Sequence, residues 1–330
     1  MSQLASEAGE PGRDAALFPP EEAAAVEGKS PWQLFWARFR QDRLALVGAG
    51  VIVLLVVIAL AAPFIANTLI GHGPNDLTLA DEMLDEFGLP KGPNSEFWFG
   101  ADKSGRDLFV RVLYGARTSL LVAVAATGVS VLIGVTLGML AGYFRGWRDT
   151  AISRLIDIVL SLPLLLFAIG ISAACTVTNE GCLGGAIKPG LSLVIFIIAL
   201  FSWPYIARIV RGNTLSIREK EFIEASRSLG AGTGSIMVRQ VLPNLVAPII
   251  VYATLIIPNN IIFEAALSFL GVGVPQTTPS WGRMLSDASD LFEIAPWLMI
   301  FPGVALVLTT LAFNLVGDGL RDALDPRTGR

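Results

Sequence analysis

Amide and carboxyl side chains inside a long apolar run are the first candidates for chemistry in this chain. Asn259, Asn260 and Glu264 lie in such a run, and an ionisable residue inside a membrane usually marks a functional site. Counted from Leu245, Glu264 lies about 29 Å along a helix, near the outer boundary of a bilayer. Two interpretations therefore stand. These residues line a pore or gate, or they make structural contacts, with the asparagines bonding carbonyl groups that Pro258 leaves free.

Catalytic chemistry inside a membrane is not favoured by the residues present. The one histidine, His72, lies in a polar loop where we expect it to be solvated, and no metal site is predicted. A single histidine also removes the HExxH zinc motif and the Ser-His-Asp triad from the apolar segments. Because the sequence contains no GxxxxGK[ST] motif, we expect no cofactor in this chain, and if ATP drives it, another subunit binds the nucleotide.

A short polar segment between two long apolar runs, Glu221–Pro243, has the pattern of an amphipathic helix. Its first residues divide into a small apolar face and a polar face, and Gly230 follows as a stop signal. The apolar face holds Phe222, Ala225, Ser226 and Leu229, and the polar face holds Glu221, Glu224, Arg227 and Ser228. Such a helix fits a groove on a partner protein, and the alternative is a solvated connecting helix.

The elements that position these residues are predicted to be membrane-spanning helices. Of the 330 residues, 53% are hydrophobic and 16% are charged, and the mean hydropathy is +0.62. These values are typical of repeated spans, so we predict an all-α polytopic protein in a lipid bilayer. Nucleic acid is not an expected partner, because no broad basic face is present. The six predicted spans are Leu44–Ala66, Thr118–Tyr143, Ile152–Ala174, Leu191–Ile209, Leu245–Leu270 and Ala295–Leu315.

The rest of the chain divides into tails and loops around these spans. Residues 1–29 are rich in Ala, Glu, Gly and Pro without periodicity, which predicts a disordered cytoplasmic tail. The other predicted segments are an interfacial helix at 30–43, the first span at 44–66, a long outer loop at 67–117, a core of spans two to six at 118–317 that contains the polar loop at 218–243, and a cytoplasmic tail at 318–330.

Charged residues near the ends of the spans suggest two local contacts. In the outer loop, Asp102, Arg106 and Asp107 are close enough in sequence to form a compact ion network. At the start of the third span, Arg154 and Asp157 lie one helical turn apart, which predicts a local ion pair. Prolines inside spans three, four and five predict kinks, at Pro163, Pro204 and Pro258.

The distribution of Lys and Arg predicts the orientation. If the N-terminus is inside, the cytoplasmic loops receive most of the basic residues, whereas the outer loops after spans three and five receive only Lys188 and Arg283. The long loop at 67–117 also carries basic residues, but it carries more acidic ones, and long translocated loops weigh less in this rule. We therefore predict both termini, and the segment Glu221–Pro243, on the cytoplasmic side.

This orientation places two cysteines outside, just beyond the third span. Cys175 and Cys182 flank the sequence TVTNEG, and the outer compartment is oxidising, so a disulfide is predicted. Closing so short a loop would add roughly 2–3 kcal/mol in the chain-entropy model. The alternative is a pair of free thiols.

The spacing of Glu224-Ala225 to Gly230, and then to Leu242-Pro243, resembles the EAA loop of ABC importer permeases. In that family the loop is a cytoplasmic coupling helix docked into the ATP-binding subunit. The resemblance implies this role for Glu224, Ala225, Gly230, Leu242 and Pro243, with Glu221 and Ser226 beside them. Two positions differ from the motif: Ser226 replaces its second alanine, and Gln240 replaces an isoleucine.

Further segments resemble the peptide-transport permeases specifically. Phe99–Leu120 is similar to the segment that forms a scoop at the outer mouth of these proteins, and Leu267–Leu285 is similar to the matching outer segment between spans five and six. Arg154–Leu166 and Ala207–Gly230 also fit, so the resemblance extends from about Phe97 to Arg321. The layout resembles the C-type permease subunit of dipeptide, oligopeptide and nickel importers.

This resemblance implies an ABC importer type I permease fold in the plasma membrane of a prokaryote. It further implies a homologous B-type permease as partner, two ATP-binding subunits below and an extracytoplasmic substrate-binding protein above. Peptides are the implied cargo, with nickel chelates or oligosaccharides as alternatives. A stand-alone secondary transporter is a rival interpretation. It would require intramembrane acid or histidine relays and an internal repeat, and neither is evident.

Overall fold

The computed structural model describes residues 31–176, 181–182 and 184–324. The predicted disordered tail at 1–29 and the end of the tail at 318–330 lie outside the described residues. The described part is α-helical and contains no strand, only isolated bridges such as Leu84 to Pro90. Its helices are α1 Pro31–Phe39, α2 Arg43–Phe64, α3 Ala80–Met83, α4 Leu108–Phe144, α5 Gly146–Ser161, α6 Leu164–Thr176, α7 Leu191–Arg218, α8 Glu221–Ser228, α9 Thr233–Ile236, α10 Leu242–Phe269, α11 Trp281–Ala288 and α12 Trp297–Leu324.

Five of these elements are long and apolar enough to cross a membrane. They are α2 with the π-helical turn that follows it, α4, α7, α10 with the turns that precede it, and α12. A sixth crossing is present if α5 and α6 are counted as one broken span. The all-α polytopic class predicted from composition is therefore confirmed.

The third span differs from the single kinked helix that we predicted over Ile152–Ala174. The structure divides it into α5 and α6, which meet at an angle of 88°. Pro163 has no N–H to donate, and Leu162 before it adopts an extended conformation with φ −75° and ψ 134°, as residues before proline prefer. By contrast, Pro204 and Pro258 lie inside uninterrupted helices.

A glycine seam joins α4 to α7 in close contact. Gly134, Gly138 and Gly142 recur every four residues on α4, and a Cβ added at any of them would lie within 2.8 Å of a carbonyl oxygen of α7. Those oxygens belong to Trp203, Ala207 and Arg211. Small residues at this spacing let two helix backbones touch, so α4 and α7 form one tightly packed unit.

The loop between α10 and α12 contains a helix that the sequence analysis missed. We expected only a polar return at 271–294, whereas α11 begins after Ser280, whose side chain accepts a hydrogen bond from Arg283 N at 3.2 Å. Trp281 is 1% exposed and donates from Nε1 to the carbonyl of Val112 at 3.1 Å. Gly115 leaves the room for this indole. The helix α11 is therefore packed into the outer end of α4.

A short helix precedes the first span. Phe35 and Phe39 of α1 are buried with Ala323 of α12, so α1 is fixed to the end of the last span. The chain then turns at Asp42, whose carboxylate caps α2 by accepting from Leu44 N at 2.9 Å.

Candidate functional site

The helix α8 lies within the segment that resembles a coupling loop. Glu221 and Glu224 occupy its first turn, where acidic residues interact favourably with the helix dipole. Gly230 has φ +81°, a left-handed conformation, and Ala231 N donates to the carbonyl of Ser226 at 3.0 Å. This is the Schellman pattern that glycine permits. The stop predicted at Gly230 is therefore present as a defined C-terminal cap.

One residue fastens α8 to the rest of the chain. Ile223 is fully buried, in a cluster that includes Val210 and Leu245. The predicted apolar face points the other way, because Phe222 is 41% and Leu229 is 88% exposed. Ile223 was not among the predicted residues, because it lies outside the predicted apolar face. It could have been found by asking which second apolar residue anchors a helix whose apolar face points outward.

The two positions that depart from the EAA motif are in direct contact. Gln240 Nε2 donates to Ser226 Oγ at 2.6 Å, and Ser226 Oγ in turn donates to the carbonyl of Phe222 at 2.9 Å. Gln240 belongs to the π-helical turn before α10, whose first residues are Leu242 and Pro243. A polar contact therefore closes the loop between α8 and α10.

A tyrosine at the C-terminal end of α4 also contacts α8. The ring of Tyr143 lies 5.3 Å from the guanidinium carbon of Arg227 and 5.8 Å from that of Arg218. Arg218 also donates a hydrogen bond to the carbonyl of Tyr143. These cation–π and hydrogen-bond contacts connect α8 and the end of α7 to α4.

Ion pairs join α5 to the inner half of α7. Asp149 accepts two hydrogen bonds from Arg211, one of them at 2.8 Å from Nη2. Asp157 lies 2.9 Å from Arg208 Nη2, so the predicted local pair between Arg154 and Asp157 is wrong. The carboxylate bonds instead to the neighbouring helix, because the tight packing of α5 on α7 brings an arginine into reach that sequence separation conceals.

A third pair lies at the same end of these helices. Arg145 Nη2 lies 2.7 Å from Glu219 Oε1. Near this end, α7, α10 and α12 border an open cavity of about 530 Å³. Its lining includes Asn213, Ser216, Lys220, Asn244, Tyr252 and Arg321. Apolar side chains of Ile217, Val251 and Leu324 also line it, so the cavity wall is mixed, with several polar groups, at the end of the molecule that carries α8.

Two of the three polar residues predicted in α10 are buried between helices of this chain. Asn260 accepts from Ser202 and donates to Thr127 Oγ1, both at 2.8 Å. Glu264 is fully buried, and its two oxygens accept from Ser119 at 2.9 Å and from Ser268 at 2.7 Å.

Asn259 differs from its neighbour, because it lies on the exposed side of α10. It donates to the carbonyl of Leu255 at 3.1 Å. The carbonyl that Pro258 deprives of its helical partner is that of Thr254. Asn259 therefore does not compensate for the proline in the way that we considered.

The outer loop is held by a buried arginine. Arg111 is fully buried; its Nε lies 3.3 Å from Asp102, and its Nη1 donates to the carbonyl of Pro74 at 3.0 Å. Arg106 also pairs with Asp102, at 2.7 Å. Asp107, which we expected in this network, instead bonds His72 Nε2 at 3.0 Å.

This contact also corrects the expectation that His72 is solvated, because its side chain is only 13% exposed. The segment 72–75 folds back onto the start of α4, and local sequence does not predict that return. Asn75 extends the contact by donating to the carbonyl of Thr277 at 2.6 Å. Arg111 in turn donates to Asn75 Oδ1 at 3.1 Å, so Asn75 links the two segments that resemble those of peptide permeases, which also meet directly through Trp281 and Val112.

The two cysteines are joined in the structure. Cys175 and Cys182 form a disulfide with a Cα–Cα distance of 4.9 Å. The bond ties the end of α6 to the segment before α7, where Cys182 pairs with Ile187 through an isolated bridge.

Comparisons with known proteins place this geometry in context. Residues 134–330 match the family described as binding-protein-dependent transport system inner membrane component. Residues 30–82 match the N-terminal TM domain of oligopeptide transport permease C. The glutathione transport system permease protein GsiD of Escherichia coli O6:K15:H31 (strain 536 / UPEC) is 43% identical over 315 residues, covering 96% of this chain and 97% of the relative. GsiD of Shigella boydii serotype 4 (strain Sb227) is 44% identical over 299 residues, covering 91% of each.

A solved structure shows the same fold. The inward-facing MetNI methionine ABC transporter superimposes with a TM-score of 0.55 at 20% identity, covering 66% of this chain and 98% of that chain. The predicted importer permease fold is therefore confirmed.

Proposed function

Since the chain belongs to the binding-protein-dependent transport system inner membrane components, as a permease subunit of an ABC importer, we propose that it forms half of a peptide-translocating pore. In this proposal it binds no ATP itself. Two ATP-binding subunits carry ATP and Mg²⁺, a homologous B-type permease supplies the other half of the pore, and an extracytoplasmic binding protein delivers the cargo. The chain lies in the plasma membrane with both termini inside.

The observation that carries the proposal is the arrangement of α8. Its apolar side chains Phe222 and Leu229 are exposed, while Ile223 holds the helix to the inner ends of α7 and α10. A helix that is anchored on one side and apolar on the other suits a groove on an ATP-binding subunit. Glu221, Glu224, Ala225, Ser226, Gly230, Leu242 and Pro243 form this coupling site.

The cargo is proposed from the relatives. The GsiD proteins are named for glutathione transport, and glutathione is itself a small peptide, so we propose peptides of this size. Nickel chelates and oligosaccharides remain the alternative cargoes, because the binding protein selects much of what reaches the pore. Of the polar residues in α10, we propose that Asn259 faces the pathway and that Asn260 and Glu264 hold the helices together.

The mechanism that we propose is a transmitted rotation. Closure of the ATP-binding subunits moves α8, and the contacts of Tyr143 and Ile223 carry this motion into α4, α7 and α10. Because the glycine seam holds α4 and α7 together, these helices move as one body. The angle between α5 and α6 changes at Pro163 to accommodate this motion. Coupling requires that α8 interacts differently with the two states of the ATPase, not merely that it is attached.

Copurification tests the function. When the chain carries an affinity tag in its native cell, an ATP-binding subunit and a second permease are expected to copurify. Reconstituted vesicles should then take up peptide only with ATP and binding protein. Uptake by the purified chain alone would contradict the proposal and favour a secondary transporter.

A further inference from the structure

The exposed side of α7 is unusual for a membrane helix. Tyr205, Arg208, Gly212 and Ser216 are exposed and recur at spacings of three and four residues, so they form one stripe along the helix. Side chains that suit contact with lipid look different: in α2, Val53 is 62% and Leu60 is 75% exposed. A stripe with a tyrosine, an arginine and a serine is therefore unsuited to the hydrocarbon of a bilayer.

One residue of the stripe, Arg208, belongs to an exposed ion pair. Arg208 and Asp157 are joined at 2.9 Å, yet their side chains are 59% and 55% exposed. Arg208 lies about 15 Å along α7 from Arg218 at the inner end of the helix. The more shielded pair, Arg211 with Asp149, has side-chain exposures of 32% and 19%. The Asp157–Arg208 pair is thus an accessible pair of opposite charges, with Arg208 one residue before the end of the predicted fourth span and Asp157 near the start of the third.

The stripe also leads to the open cavity at the inner end of the chain. Ser216 belongs to both, and Asn213 on the next face of α7 is part of the cavity wall. Asn244 and Tyr252 of α10 line the other side. The exposed side of α7 therefore connects this cavity with Arg208.

In the described part of the chain, the pair is joined through one guanidinium nitrogen and one carboxylate oxygen. Arg208 thus has further N–H donors with the fork geometry that binds carboxylates. Asp157 has a second oxygen that can accept from an ammonium group. A molecule with a carboxylate at one end and an ammonium at the other matches both.

We propose that the Asp157–Arg208 pair lines the aqueous pathway and holds the charged ends of a passing zwitterionic peptide. Arg208 binds the carboxylate and Asp157 binds the ammonium group, so the cargo replaces the contact that the two residues make with each other. This inference rests on the proposed function and adds a recognition site to it. The competing arrangement is an ion pair buried against the second permease.

Accessibility tests the location. Tyr205→Cys in the assembled transporter, with both native cysteines replaced by serine, is treated in inside-out vesicles with a charged, membrane-impermeant maleimide. We expect labelling without nucleotide and protection when ATP is trapped. Leu60→Cys, on an apolar exposed surface, serves as the control and should stay unlabelled. If Tyr205→Cys is unreactive in both states, the stripe is covered and the inference is overturned.

Cargo chemistry tests the recognition. Uptake is measured for dialanine, its C-terminal amide and its N-acetyl form. For each peptide, uptake by a variant is divided by uptake by the unaltered transporter, so that selection by the binding protein cancels. Arg208→Gln should lower uptake of dialanine about tenfold or more, as loss of a hydrogen bond to a charged group does, and lower that of the amide much less. Asp157→Asn should lower uptake of dialanine, and it should lower uptake of the N-acetyl form, which has no ammonium group, much less.

The matched control is Arg145→Gln, which breaks the similarly exposed pair with Glu219 outside the stripe. It should change uptake of the three peptides equally. If Arg208→Gln and Asp157→Asn also change all three equally, the pair is structural and the inference fails while the proposed function stands. If the unaltered transporter takes up no peptide with ATP, the proposed function itself fails.

Discussion

Ser226 and Gln240 show that a sequence motif can be read together with the contacts that its positions make. Each departs from the EAA motif that the segment resembles, and in the structure Gln240 donates a hydrogen bond to Ser226 at 2.6 Å. Two residues that are separated by fourteen positions along the chain therefore meet, and their polar contact closes the loop between α8 and the turn before α10.

Glu224 gives the most direct test of coupling at the scale of a residue. It is exposed in the first turn of α8, so Glu224→Lys should not disturb folding by more than about 1 kcal/mol, the size of a helix-dipole contribution. We expect transport to be abolished, or ATP hydrolysis to be uncoupled from it, with normal membrane insertion. Uptake assays and ATPase assays measure the two effects. Glu86→Lys, the same change in the outer loop, is the control, and normal uptake by Glu224→Lys would refute the role.

Glu264 provides a second prediction, which concerns stability. Its oxygens accept from the buried hydroxyls of Ser119 and Ser268, so Glu264→Leu leaves two hydroxyls without an acceptor, at about 1–3 kcal/mol each. Glu264→Gln keeps an acceptor and should cost much less. Thermal unfolding in detergent should show a clear loss for leucine and a small one for glutamine. Equal losses would contradict this account, because glutamine has nearly the shape of glutamate and the acceptor that it keeps would then contribute nothing.

Among the elements, the α4–α7 pair is the most constrained. Three glycines bring the two backbones together, and the carbonyl of Ala207 would lie 2.6 Å from a Cβ at position 138. The seam explains why two helices that are distant in sequence form one body in the proposed mechanism.

The seam predicts opposite effects for the same substitution at two glycines of α4. Alanine has the higher helix propensity, by about 1 kcal/mol, so Gly128→Ala, which meets nothing within 4 Å, should be neutral or stabilising. Gly138→Ala should destabilise despite that propensity, because the added carbon collides with backbone that cannot rotate away. Melting temperatures of the two variants measure the contrast. A stabilised Gly138→Ala would show that the helices can separate without loss.

The spans and the glycine stop of α8 could be predicted from sequence because they depend on local signals: apolar length and a glycine at a helix end. Three features could not. The anchor Ile223 is defined only by what it meets in space, and Asp157 bonds to a residue 51 positions away. The buried residues Trp281, Met284 and Ala288 of α11 do recur at helical spacing, but the helix has only about two turns, which is too short for such a pattern to be distinguished from a loop.

At the scale of the whole molecule, two packed regions lie at opposite ends of the long helices. One region contains Arg111, Trp281 and the disulfide and lies near the start of α7, and the other contains α8. The helix α7 alone separates them by about 42 Å at 1.5 Å per residue. Motion of α8 therefore reaches the region of the disulfide only through the long helices.

The disulfide predicts how the cysteines react on the outer side. Cys175 and Cys182 should accept a thiol-reactive polyethylene glycol only after reduction, seen as two added masses on a gel. Cys175→Ser leaves one free thiol and should be labelled without reduction, which serves as the positive control. Loss of the bond should destabilise by roughly 2–3 kcal/mol. Labelling of the unreduced chain at both sites would show free thiols instead.

The bend between α5 and α6 has a consequence for biosynthesis. The helix α6 has 13 residues, or about 20 Å, which is shorter than about 30 Å of hydrocarbon. When it leaves the ribosome, this piece cannot settle in lipid as a crossing of its own. It must wait in the translocon until Leu193, Val194 and Ile197 of α7, against which it packs, have emerged. A nascent chain arrested before Leu191 should therefore remain beside the translocon, and one arrested after α7 should be released into the bilayer.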